Sequence, residues 1–327
     1  MAVTPQTNTT LEEIAQVLLK AHTVAICGHV SPDGDCLGSE LALACALRQL
    51  GKTVFTLTAG PEAIDASLRF LPGTPQLTAA SLCADAPDVF VAVDVPTPER
   101  LGEGDAVRRR AGTTVTVDHH ATDAPMADYS YTDPDAAATA LLVWRLCRLL
   151  GADCEGAVAT CCYTGLMTDT GRFQYQNATS DVFRAAAEMV EAGARPDAIS
   201  REVFQNRSRA SLQLEAVAIE RMEFMCEGQC VLSWLTEEDF QRAGAVKADA
   251  EPLINLLRSL SGVRVACMLR QQGDAVRGSL RAKDNTDVAA IACDFGGGGH
   301  RAAAGFTFPG SVAQAVKALS AILSHLE

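Results

Sequence analysis

Residues 23–51 read TVAICGHVSPDGDCLGSELALACALRQLG. The opening TVAIC is a short apolar run closed by Gly28, the pattern of a buried strand. From Ser39 the apolar residues recur with a helical period, and the pattern stops at Gly51. Between strand and helix stand an imidazole and two carboxylates, His29, Asp33 and Asp35, with Pro32 and Gly34 shaping a tight turn among them. A helix starting near Ser39 turns its positive end back toward these acidic groups.

The same alternation continues outward. Residues 12–20 predict an amphipathic helix, and 53–58, 87–95 and 113–120 predict further strands. Helical patterns follow at 134–150, 155–168 and 178–192. Short apolar strands alternating with helices argue an α/β domain whose mostly parallel sheet is covered on both faces. His29, Asp94 and Asp118 then fall at or just past the C-terminal ends of strands, the edge where such sheets gather ligands. The pattern changes near residue 193, where a polar, Arg-rich crossing holds a proline. The expected organisation is a catalytic domain over 1–190, a linker over 191–206 and a smaller α+β domain over 207–327. In the last, strands are predicted at 230–235, 263–270 and 275–281, and helices at 209–224, 252–260, 286–294 and 311–326. There is no low-complexity segment and no clear internal repeat.

Composition narrows the partners. The 327 residues are 48% apolar and carry a formal charge of −13, with a pI of about 4.9. An acidic excess of that size repels polyanions over the whole surface, so long duplex DNA or RNA is excluded as a main partner, whereas a short anion still fits a locally positive pocket. The first residues lack a basic region followed by an apolar core, and no stretch approaches the ~20 apolar residues of a membrane span. The 12 cysteines include no CxxC pair and many lie in apolar runs, which reads as buried free thiols in a cytoplasmic protein. Cys27 and Cys36 flank the acidic turn and read as packing residues.

Four stretches carry one kind of chemistry: GHVSPDGD (28–35), VAVDV (91–95), VDHH (117–120) and GLMTDTGRF (165–173). A single Asp at a strand end is ordinarily a cap or turn residue, and Asp33 and Asp35 alone would suit a turn before a helix. Taken together, Asp33, Asp35, Asp94 and Asp169 would repel one another if they converged, and two divalent cations remove that repulsion. Carboxylate and imidazole donors suit Mn2+, with Mg2+, Fe2+, Co2+ or Zn2+ as further candidates, better than an ion that selects thiolates. Two such ions about 3.5–4 Å apart clamp a phosphoryl group and lower the pKa of a bound water.

These motifs resemble the DHH phosphoesterase superfamily, named for the triplet present here as Asp118-His119-His120. RGSLRAK (277–283) and FGGGGHRAAAGF (295–306) resemble its DHHA1 domain. The resemblance implies a parallel-sheet DHH domain joined by the linker to a smaller α+β DHHA1 domain, with the active site in the cleft between them. It implies one Mn2+ on His29, Asp33 and bridging Asp94, and a second on Asp35, Asp94, His119 and Asp169. Asp118 would orient the histidines and His120 would lie beside the scissile phosphate. Ser279, Arg281, Gly297, Gly298, Gly299 and His300 would hold substrate, and Phe173 or Tyr175 is either a base-stacking ring or core. The most similar members are short cytoplasmic enzymes that hydrolyse short oligoribonucleotides to 5′-mononucleotides and 3′-phosphoadenosine 5′-phosphate (pAp) to AMP and phosphate. Competing readings are a linear- or cyclic-dinucleotide phosphodiesterase, a single-strand DNA exonuclease, an inorganic pyrophosphatase, whose second domain lacks a GGGGH ending, and a non-enzymatic binding protein. A monomer or a homodimer fits, without a membrane.

Overall fold

A computed structural model describes residues 6–61, 63–122 and 125–326. The chain divides into two compact units, Met1–Asn206 and Arg207–Glu327. The first contains α1 (Leu11–Lys20), β1 (Thr23–Cys27), α2 (Gly34–Gln49), β2 (Thr53–Thr58), β3 (Thr78–Ala79), β4 (Val89–Val93), α3 (Gly104–Arg108), β5 (Thr113–Asp118), β6 (Tyr129–Thr132), α4 (Thr139–Leu149), α5 (Ala157–Asp169), α6 (Ser180–Glu191) and α7 (Pro196–Phe204). Its sheet runs β3-β2-β1-β4-β5-β6 with every neighbouring pair parallel. The order reverses between β1 and β4, so a crevice opens outside their C-terminal ends. His29 and Asp94 follow those two strands directly.

Burial explains why these strands were legible. All of β4 and the last four residues of β1 are buried, because apolar clusters cover both faces of the sheet. One cluster holds α1, α2 and α4–α6 residues such as Ile14, Leu41, Leu142 and Leu166; the other is built around Phe90, Leu57, Leu101 and Val107. Helix α2 is buried on nearly every side and packs against α4 and α5. Gly38 permits that approach, since a Cβ there would lie 2.5 Å from the Cys161 carbonyl oxygen.

Several boundaries differ from the sequence expectation. Helix α2 begins at Gly34 rather than near Ser39, because Asp33 Oδ1 accepts from the N–H groups of Asp35 (3.0 Å) and Cys36 (3.1 Å) and so caps it. Asp35 is therefore on the first helical turn. Strand β5 ends at Asp118, leaving both histidines in the following loop, and α4 starts at Thr139 rather than 134. β6 was not anticipated. The crossing after residue 190 contains α7, which opens on Pro196 and buries Ile199, with Val203 and Phe204 partly buried against the same core.

The second unit contains α8 (Arg209–Glu220), β7 (Glu223–Met225), β8 (Cys230–Leu235), α9 (Glu237–Ala243), α10 (Leu253–Ser259), β9 (Val265–Gln272), β10 (Ala275–Ala282), α11 (Val288–Cys293), β11 (Gly298–His300), β12 (Ala303–Pro309) and α12 (Val312–Leu323). The sheet order is β11-β12-β10-β9-β8-β7, antiparallel except for the β8–β9 pair. Leu319, Phe306 and Ile291 form a core on one face, and Leu214, Leu253 and Met268 form one on the other. β7, α9, β11 and β12 were not anticipated. Among the described residues no helix is long and apolar enough to cross a membrane.

Candidate metal centre

The His29 and His119 rings are aimed by bonds to the main chain. His29 Nδ1 donates to the Val30 carbonyl (2.8 Å), which leaves Nε2 facing Asp94 Oδ2 at 3.5 Å and Asp33 Oδ1 at 3.9 Å. His119 Nδ1 donates to the Ala136 carbonyl (3.2 Å), and its Nε2 lies 3.4 Å from Asp169, 3.6 Å from Asp94 and 3.9 Å from Asp35. Asp94 sits between the two imidazoles with a left-handed φ of 60°, a conformation that costs a non-glycine residue about 1–3 kcal/mol. Its N–H is held by the Val117 carbonyl (3.1 Å), and Thr139 Oγ1 donates to its Oδ1 (2.8 Å).

Asp35 is 1% exposed. The N-terminus of α4 satisfies it: Thr139 N–H donates to Oδ2 (2.7 Å) and Ala140 N–H to Oδ1 (2.8 Å). Asp118 Oδ1 accepts from the backbone of His119 (2.8 Å) and His120 (3.2 Å) and from His120 Nδ1 (2.8 Å). The bond to a ring therefore goes to His120; the His119 ring is set by Ala136. Asp169 ends α5, and its carboxylate reaches the cluster from the opposite side of the sequence.

The electrostatics are those of a pocket built for positive charge. Burial, then Asp94 and Asp169, push the Asp35 carboxyl well above the usual range. Burial, Asp33 and Asp94 do the same to Asp169. Burial opposes ionised Asp94, but the His29 hydrogen bond and the neighbouring His119 and His120 rings outweigh it and hold Asp94 low. Burial disfavours a charged His120, yet Asp118 raises it to about 9. His29 rises to about 12 against its own burial, with Cys36, Asp94 and Asp33 around it. Burial raises the Cys36 thiol to about 12, so the thiol is neutral and the carboxylates are what attract the His29 proton. Protons collect where cations would relieve the same repulsion.

Among the described residues, three groups offer metal-binding atoms within 4.8 Å of one another: His29, Cys36 and Asp94; Asp94, His119 and His120; and Asp35, His119 and Asp169. Asp94 belongs to two of them. The oxygen and imidazole donors fit hard to borderline divalent ions. Cys36 accepts from the His29 N–H (3.2 Å) and fills the space where a Gly28 side chain would stand. Asp33 is 60% exposed and already serves as the α2 cap.

In the second unit, Ser279 and Arg281 lie on one face of β10. Ser279 Oγ accepts from Arg270 Nη2 (2.8 Å), and Arg281 Nη1 donates to the Leu280 carbonyl (2.9 Å). The glycine run is not a simple loop. Gly296 turns the chain with φ 69°, a Cβ on Gly297 would lie 2.2 Å from the Gly305 carbonyl oxygen, and Gly298–His300 form edge strand β11 paired with β12. The His300 side chain lies outside the described residues. Phe173 packs between Tyr163 (5.8 Å) and Phe183 (5.6 Å), and the Tyr175 ring covers Gly171. Sequence reading missed Thr139 and Arg270. No sequence signal marked the first, since the helical pattern put Thr139 inside a helix expected from 134; an arginine ending an apolar strand was a signal for the second.

Comparison with known proteins places these motifs in a family. The DHH family, N-terminal domain, matches residues 23–166, and the DHHA1 domain matches residues 229–325. The chain is 33% identical over 298 residues to the bifunctional oligoribonuclease and PAP phosphatase NrnA of Thermus thermophilus, covering 91% of this chain and 88% of that one. Identity to the Bacillus subtilis protein of the same name is 22% over 299 residues, covering 90% and 91%. The crystal structure of an exopolyphosphatase-related protein from Bacteroides fragilis superposes with a TM-score of 0.89 at 28% identity, covering 96% of this chain and 95% of that one. The chain belongs to the DHH phosphoesterase family, with a DHH domain followed by a DHHA1 domain, and it is a hydrolase acting on phosphoester bonds.

Proposed function

We propose that this protein is a Mn2+-dependent phosphoesterase that hydrolyses short oligoribonucleotides to 5′-mononucleotides and pAp to AMP and phosphate. The observation that carries the reading is the position of Asp94, within 3.6 Å of imidazoles from two different loops and shared by two potential metal-binding groups. His29, Asp33 and Asp94 would hold one ion; Asp35, Asp94, His119 and Asp169 would hold the other. When bound, the ions supply charge neutralisation, Lewis acidity at the phosphoryl group and water of lowered pKa. The α4 N-terminus and Thr139 hold Asp35 and Asp94 against rotation. Asp118 fixes the His120 ring through Nδ1, and His120 stabilises charge developing on the phosphoryl oxygens. Four carboxylates balance two divalent ions, so the substrate's own charge needs other partners: Ser279, Arg281, Gly297, Gly298, Gly299 and His300.

Substrate size follows from charge. A net charge of −13 disfavours a long strand, and the names of the Thermus and Bacillus relatives support short oligoribonucleotides and pAp. All 12 cysteines are free, which supports a reducing compartment, the cytoplasm. The test is a time course with end-labelled RNAs of two to five nucleotides, a 24-mer, pAp and cyclic di-AMP, each with Mn2+. Rapid turnover of the short RNAs and pAp is expected. Preference for the 24-mer would favour a long-strand exonuclease, and preference for cyclic di-AMP a dinucleotide phosphodiesterase.

A further inference from the structure

The second unit contains a cavity of about 490 Å³ that the proposed chemistry does not use, lined by Phe240, Gln241, Val246, Lys247, Arg270 and Gln272 among others. Its volume falls within the ~300–1,000 Å³ of small-molecule sites. Arg270 connects it to the face that bears Ser279 and Arg281. Arg270 pairs with Arg277, and Met268 with Ser279, across β9 and β10, so Arg270, Arg277, Ser279 and Arg281 share one side of the sheet. In a chain of charge −13, Arg277 and Arg281 put local positive charge on that face, while the Arg270 charge is matched by Glu251.

The cavity itself suits a different part of a nucleotide. Glu251 pairs with Arg270 Nη1, and Glu237 also lines the walls, so the hollow is close to neutral rather than a second anion site. Half-buried Phe240 and 65%-exposed Val246 present apolar surface on which a base can stack. The side-chain amides of Gln241 and Gln272 are exposed at the rim, and an amide offers both a donor and an acceptor to a base edge. The Arg270 side chain is 7% exposed and its Nε has no partner among the described protein groups, a buried donor that water or a ligand would satisfy.

We propose that this cavity is a nucleoside subsite, taking the base and ribose of a nucleotide whose phosphate lies on the Ser279–Arg281 face. The identity of the ligand rests on the proposed function. The experiment is calorimetric titration of the Mn2+-loaded full chain with AMP and with ribose 5-phosphate, which lacks the base. Wild type should bind AMP at least about tenfold more tightly than ribose 5-phosphate, and Phe240→Ala should abolish that preference while leaving ribose 5-phosphate unchanged. Val246→Asp, at an exposed rim position with no part in the core, should weaken AMP in the same selective way and decides the question if Phe240→Ala fails to fold. Equal wild-type affinity for the two ligands, or an AMP preference that survives both substitutions, overturns the subsite. Oligonucleotide turnover is scored separately: AMP preference without turnover would refute the proposed activity and leave the subsite standing.

Discussion

Glu40→Gln tests how the fold tolerates a carboxyl buried beside the centre. Glu40 lies on α2, is 2% exposed, and its Oε1 accepts from the Leu57 N–H at 2.9 Å. Burial raises its pKa from 4.5 to about 8, against the opposing pull of the Leu57 and Gly28 N–H groups and Arg48. Between those values the native state retains a proton that the unfolded chain has lost, so native stability falls as pH rises toward 8. Each pKa unit is worth about 1.4 kcal/mol, and integration from pH 5 to pH 8 gives a loss of about 3.5 kcal/mol. Glutamine resembles the protonated acid and cannot titrate. The stability of Glu40→Gln relative to wild type should therefore grow by about 3.5 kcal/mol over that interval, while groups common to both proteins cancel. The assay is urea unfolding with a chelator present, followed by Trp144 fluorescence in a Trp234→Phe background, since Trp144 is buried in the first unit. A difference that stays constant within about 0.5 kcal/mol from pH 5 to pH 8 would mean that Glu40 is ionised throughout and that the two N–H donors outweigh burial.

Asp94→Asn should lower turnover of every substrate by at least about 100-fold and reduce bound manganese below two per chain; normal turnover with full metal content would sink the shared-ligand assignment. Thr139→Val keeps the side-chain volume and the N–H bond to Asp35 but deletes the bond to Asp94, so Mn2+ affinity measured by electron paramagnetic resonance should fall about tenfold and be restored in Thr139→Ser. Equal affinity in the valine and serine variants would leave Thr139 a purely structural residue. Arg281→Ala should cost about 10–150-fold in kcat/KM for pAp, less for bis-p-nitrophenyl phosphate, with unchanged metal content. Equal fractional losses on the two substrates would count against a phosphate-holding role.

The elements legible in the sequence were those whose environment is uniform. β1 and β4 lie in a sheet covered on both faces, so they read as continuous apolar runs, β5 reads as a β-branched Thr/Val run, and the acidic and histidine motifs stood out at their ends. The spacing of His29, Asp33 and Asp35 showed two carboxylates and an imidazole at a strand-to-helix turn. Other features carried no local signature. β11 is glycine-rich and reads as a loop, because glycine is poor in strands and only pairing with β12 makes this one. The start of α2 depended on an Asp33 side chain folding back onto its own helix. Above all, the meeting of groups within the centre was decided by tertiary structure: Asp94 between two imidazoles, and the α4 N-terminus gripping Asp35 from 104 residues away. Sequence periodicity reports the solvent exposure of each residue's own neighbourhood, whereas bonds across such separations form only once the parallel sheet has brought the ends of β1, β4 and β5 to one edge.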